Sequence, residues 1–163
     1  VQAFAPDEVD VIGPGQPMPP IETPTLDAAR GVDPICTLHD GPCPLHGQTL
    51  AAALEAARPT LLLVGSPAYC ANAFCASSLR LLIDRSERLS GVTFLHAEPY
   101  AQPRRNGDSD PVTSDRAPVM EELGLAFEPA LFAIDGDGNV VDRLDAVLSA
   151  AELDDVLERL GVS

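Results

Sequence analysis

The chain has 163 residues, enough for one well-packed domain, and sets ten arginines and no lysine against 25 acidic residues, a net charge of −15. So anionic a surface repels nucleic acid and anionic lipid, because every phosphate contact needs a cation. No apolar stretch approaches the ~20 residues of a membrane span, so direct membrane insertion of the given chain is not expected.

Residues 1–31 are dense in Pro and Gly, acidic, and without apolar periodicity. They read as a tether or a strap, apart from a domain covering 32–163. An alternative use is an edge strand through Val9, Val11 and Ile12, limited by nearby prolines. After a Cys/His/Pro loop, Thr49 can cap a short helix "LAAALEAAR" with Leu50, Leu54 and Ala57 on one face. "TLLLVG" is short and continuously apolar, as a strand buried on both sides is. Leu79, Leu82, Ile83 and Leu89 then follow helical spacing up to Gly91, and "VTFLHA" is the next strand. A polar loop over 98–115 leads to a short helix between Pro118 and Gly124. "PALFAID", the turn "GDG" and "NVVDRL" make a hairpin. "DGDGN" imitates the start of a calcium loop, but Ala146 stands where the twelfth-position glutamate belongs, so a turn is the better reading. Ser149 and Glu152 form a capping box, and Leu153, Val156, Leu157 and Leu160 line the last helix until Gly161. This order predicts an α/β fold, a central mixed sheet flanked by helices on both faces.

The four cysteines fall into two local pairs, Cys36 with Cys43 and Cys70 with Cys75. An even, paired count points to an oxidising, extracytoplasmic setting, the chain being free or held by an anchor ahead of Val1. "CTLHDGPCPLH" offers Cys36, His39, Cys43 and His46 as metal donors. Its central gap is shorter than zinc fingers use, and Gly41, Pro42 and Pro44 tighten the loop, favouring a structural disulfide Cys36–Cys43 with no metal. Cys70 and Cys75 are separated by four residues. On an ideal helix, positions five apart lie about 8.6 Å apart, beyond disulfide reach. The helix therefore starts near Cys75, with Ser77 or Ser78 as its cap, or oxidation unwinds its first turn. A thiol at that helix mouth would have its thiolate favoured, which suits Cys70.

The run "LHGQTLAAALEAARPTLLLVGSPAYC", followed by "FEPALFAIDGDGNVVDRL" and the closing helix, resembles the thioredoxin-like superfamily, nearest to its extracytoplasmic TlpA/ResA type. The likeness spans about Leu45 to Leu160. It implies a thiol–disulfide oxidoreductase or redox-sensing protein with Cys70 as nucleophile, Cys75 as resolving thiol, and Pro129 as a cis-proline facing them. Tyr69, Glu128 and Pro129 would hold the substrate strand. No cofactor is implied, and the partner would be a protein thiol or disulfide. The chain departs from the family in having C-x4-C for C-x-x-C and Tyr69 where Trp is common. Two other readings stand beside it: a disulfide-stapled, non-enzymatic protein-binding domain, and a copper module similar to Sco proteins, using Cys70, Cys75 and His96. The plainer reading of His96 is a hydrogen-bonded residue at a strand end.

Overall fold

The computed structural model describes residues 11–69, 74–103, 115–146 and 148–162. Its elements are α1 (Leu50–Glu55), β1 (Thr60–Val64), α2 (Phe74–Arg88), β2 (Thr93–Ala97), α3 (Pro118–Glu122), β3 (Ala130–Ile134), β4 (Val140–Asp145) and α4 (Ala150–Arg159). They form the mixed sheet with flanking helices that the element order predicts.

The strands lie in the order β2-β1-β3-β4. β1 runs parallel to β2, pairing Leu63 with His96, and antiparallel to β3, pairing Val64 with Ala130. β3 and β4 form the expected hairpin, with Val141 as an extra residue between the pairs Ala133–Asp142 and Ile134–Val140. Its turn is closed by Asp135, whose Oδ1 accepts from the Asp137 and Asn139 amides at 3.0 and 2.9 Å. A local hairpin turn thus uses the groups that resembled calcium ligands.

Every residue of β1, β2 and β3 is buried, which explains the apolar runs Leu61–Val64 of β1 and Ala130–Ile134 of β3. Leu62, Val64, Phe132 and Ile134 face one core with Leu50, Ala53, Val119 and Leu123. Leu61, Leu63, Leu131 and Ala133 face the other, with Leu79, Leu82, Leu153 and Val156. Residues 15–18 of the strap pair with the β4 end of the hairpin through the hydrogen bonds Gly15 N to Val140 O, Val140 N to Gln16 O and Met18 N to Gly138 O. Met18 and Ile21 are buried in the first core. The edge pairing therefore involves residues further along than Val9 to Ile12; Val9 lies outside the described residues.

Helix ends follow their sequence signals, with two exceptions. Thr49 caps α1, accepting from Ala52 N at 3.0 Å, and Ser149 with Glu152 completes the capping box of α4. Gly161, at φ +71°, closes α4 by the paired bonds Gly161 N to Glu158 O and Val162 N to Leu157 O. Ala57, expected on the buried face of α1, lies beyond its end at φ +50°. Its carbonyl comes so close to the hairpin that a Cβ on Gly136 would sit 3.0 Å from it. α2 begins at Phe74, so Ser77 and Ser78 lie inside the helix and are not its cap.

Candidate functional site

β1 and β2 are parallel and end side by side, and the residues just beyond their C-terminal ends carry the polar chemistry of this edge of the sheet. Gly65 N bonds Ala97 O at 3.1 Å, extending the parallel pairing one step beyond the strands. Ser66, fully buried, then opens the loop toward Cys70. Across the sheet, the Glu128–Pro129 peptide bond at the head of β3 is cis, and a Cβ on Gly65 would meet the Pro129 Cβ at 3.1 Å. The absence of a side chain at Gly65 is what lets Pro129 lie against the end of β1.

Glu128 reaches the same point. Its Oε2 accepts from the Ser66 amide, and its carboxylate also takes a hydrogen bond from Tyr100. Burial is the main reason that it ionises only near about 7 rather than at the ordinary 4.5, and the nearby Glu98 charge adds to the effect. Tyr100 in turn packs edge-on against Tyr69, ring centroids 5.0 Å apart, with its own hydroxyl pushed up by burial and by Glu128. Tyr69 is thus held one residue before Cys70. Cys70 itself and the Cys75 side chain lie outside the described residues; the Cys75 backbone is in the first turn of α2.

A second set of groups lies behind this loop. Thr37 donates through its amide and its hydroxyl to Glu98 Oε1, at 2.6 and 2.8 Å. The same hydroxyl accepts from Ala68 N at 3.0 Å and lies 3.2 Å from Ser66 Oγ. Glu98 is wholly buried, and its Oε2 has no hydrogen-bond partner among the described residues. Burial pushes its ionisation up, against the pull of His96, Ser66 and Thr37.

Next to Thr37, the donor atoms of Cys36, Cys43, His46 and His96 converge, all within 4.8 Å of one another and all buried. Cys43 precedes and His46 ends the short 3-10 turn Pro44–His46, which packs on β2, where His96 stands. His46 Nε2 lies 3.1 Å from His96 Nδ1, and Cys43 Sγ lies 3.8 Å from the same nitrogen. His96 Nε2 donates to Gly65 O at 2.8 Å. A carbonyl can only accept, so Nε2 carries a proton, and in the neutral ring Nδ1 presents a lone pair to the cluster. The expected Cys36–Cys43 bond is not formed in the structure: both are free cysteines. The hydrogen bond from Cys43 is the main influence pushing Cys36 toward thiolate, helped by His46 and His96 against burial, while Cys43 is pushed up as donor of that bond and by burial. For His96, burial alone would lower the pKa, but Cys36 and Glu98 outweigh it and the net shift is upward.

The sequence motif around Cys36 thus supplies three of these groups, and His39 does not join them. It is exposed and bonds Asp40 at 3.1 Å. His96 is hydrogen-bonded at its strand end, as expected, and its other ring nitrogen is aimed at Cys43 and His46. Thr37, Ser66 and Glu98 belong to no motif that marks them in the sequence. Glu98 had a signal, a carboxylate directly after a strand buried on both faces.

No protein-family model matches the chain, and no curated protein does. Solved structures do. The C-terminal domain of a protein assigned as a thiol–disulfide oxidoreductase from Bacteroides thetaiotaomicron is 12% identical, with a TM-score of 0.58 over 90% of this chain and 95% of that one. MTB dsbF, 20% identical, gives 0.49 over 74% of this chain and 90% of its own. A thioredoxin-family thiol:disulfide interchange protein from Chlorobium tepidum TLS, 14% identical, gives 0.47 over 89% and 99%. The parallel β1-α2-β2 unit, the antiparallel β3-β4 hairpin, and a solved domain that follows this path over 90% of the chain give the chain a thioredoxin-like fold.

Proposed function

We propose that the chain is an extracytoplasmic thiol–disulfide oxidoreductase or redox-sensing protein working through Cys70 and Cys75. The observation that supports this reading is Pro129 lying against Gly65, at the end of the strand that runs on in sequence to Cys70. In the proposed cycle the Cys70 thiolate attacks a partner disulfide, and the partner's S–S bond breaks as the mixed disulfide forms and one partner thiolate leaves. The Cys75 thiolate then attacks the Cys70 sulfur. A Cys70–Cys75 disulfide forms, the second partner thiolate leaves, and two electrons have passed to the partner.

The neighbouring groups fit such a cycle. Glu128, ionising near about 7, can exchange a proton at neutral pH beside the loop. Phe127, 52% exposed, offers an apolar contact next to Pro129 for a partner's chain. The reading is tested by alkylation and mass spectrometry under graded reducing potentials, together with reduction of a protein disulfide. The expected results are a Cys70–Cys75 bond that cycles at mild potential, no turnover in Cys70→Ser, and a trapped mixed disulfide in Cys75→Ser. A Cys70–Cys75 bond that resists reduction below about −300 mV would instead identify a stapled, non-enzymatic binding domain.

A further inference from the structure

We infer that Cys36, Cys43, His46 and His96 form a structural zinc site, independent of the redox pair. The donor set is the first reason. Two sulfurs and two imidazole nitrogens, with no carboxylate among them, match the tetrahedral S2N2 preference of zinc. The spacing is the second. With Zn–N near ~2.0–2.1 Å and Zn–S near ~2.3 Å, the edges of a tetrahedron are about 3.3 Å between nitrogens, about 3.6 Å from nitrogen to sulfur and about 3.8 Å between sulfurs. His46 Nε2 to His96 Nδ1 is 3.1 Å and Cys43 Sγ to His96 Nδ1 is 3.8 Å. Small rotations bring these edges to the ideal values.

The surroundings are built as a closed metal site requires. The four residues are between 0 and 2% exposed, so a single ion would be wrapped in protein, with no position open for substrate. His96 is oriented by a backbone carbonyl, the arrangement that fixes a ligand imidazole and its tautomer. Two thiolates, two neutral imidazoles and Zn2+ sum to zero charge, which suits so deep a location. A disulfide would account for the two sulfurs but not for two buried imidazoles converging on them. A surface hollow of about 400 Å3, with Asp27 and Asp33 on its wall, lies against the Cys36 end of the cluster. Binding joins the loop over 36–46 to β2 and exchanges the thiol protons for the metal.

The test uses the full chain, reduced, incubated with zinc alone and then desalted, with metal measured by mass spectrometry. The expected result is about one zinc per chain, retained in His39→Ala and in the double variant Cys70→Ser/Cys75→Ser. Affinity, by competition with a chromophoric chelator, should fall at least about tenfold in His96→Ala and in Cys43→Ser. Cobalt(II) should give the visible bands of a tetrahedral thiolate site. Because a ligand variant can fail to fold, the unmutated chain supplies a second readout: zinc should slow alkylation of Cys36 and Cys43. Any of four results would overturn the assignment. These are no zinc uptake by the reduced chain, loss of uptake in His39→Ala or in the Cys70/Cys75 double variant, alkylation of Cys36 and Cys43 unaffected by zinc, and binding of cuprous ion but not zinc by these four residues.

Discussion

Replacing Glu128 by Gln isolates one carboxyl whose ionisation the fold opposes. Folded, it ionises near about 7; its ordinary value is 4.5. Below pH 4.5 it is protonated in both the folded and the unfolded chain, and the two states take up protons equally. Between the two values the unfolded chain releases its proton while the folded chain retains it, so stability falls as pH rises. Above the folded value both are ionised and the loss is complete. At about 1.36 kcal/mol per pH unit over that interval, the loss amounts to at most about 3 kcal/mol. Glutamine keeps a carbonyl to accept from the Ser66 amide but has no proton to release. Glu128→Gln should therefore gain on the native chain as pH rises, by up to about 3 kcal/mol between about pH 4 and pH 8, or roughly 6–12 °C in melting temperature for a chain of this size. Urea denaturation of both proteins across that range, under reductant, measures the difference directly. A gap that stays flat with pH, or widens toward acid, would refute the view that Glu128 is held protonated by burial.

Two further substitutions test the frame around it. Gly65→Ala places a Cβ 3.1 Å from Pro129 Cβ and 3.6 Å from Glu128 Oε2, and should cost about 1–3 kcal/mol in urea denaturation while lowering any disulfide-reducing activity. An unchanged urea midpoint would mean that Pro129 does not lie against β1. Ser149→Ala removes the hydroxyl that accepts from Glu152 N at 3.2 Å and should lower stability by about 1 kcal/mol, with disulfide reduction unaffected. A loss of activity at constant stability would contradict a purely local capping role.

The elements are legible where local chemistry sets them. The capping box at Ser149, the turn at Asp135 and the buried strand Thr60–Val64 each carry their instruction within a few residues. Ala57 departs from its expected place because side-chain periodicity continues past the point where the backbone leaves the helix. At the candidate metal centre, the loop discloses Cys36, Cys43 and His46, but the fourth donor lies 50 residues beyond His46 and arrives through the pairing of Leu63 with His96. That register depends on two strands finding each other, which no short motif encodes. His39 has the right spacing for a ligand, yet it lies on the exposed side of the loop and bonds Asp40 instead. The contacts of Glu98 are hidden for a related reason: its partner Thr37 is 61 residues away.

One amide group joins the two halves of this end of the molecule. The carbonyl of the Gly65–Ser66 peptide accepts from the His96 ring, and its N–H donates to Glu128. When Glu128 loses its proton, the negative charge draws on that N–H and polarises the whole amide, so the oxygen becomes a stronger acceptor and holds the imidazole N–H more tightly. The electron density gained by the ring is carried to Nδ1, on its far side. A single planar unit of backbone therefore couples two side chains that never touch, Glu128 at its N–H and His96 at its oxygen.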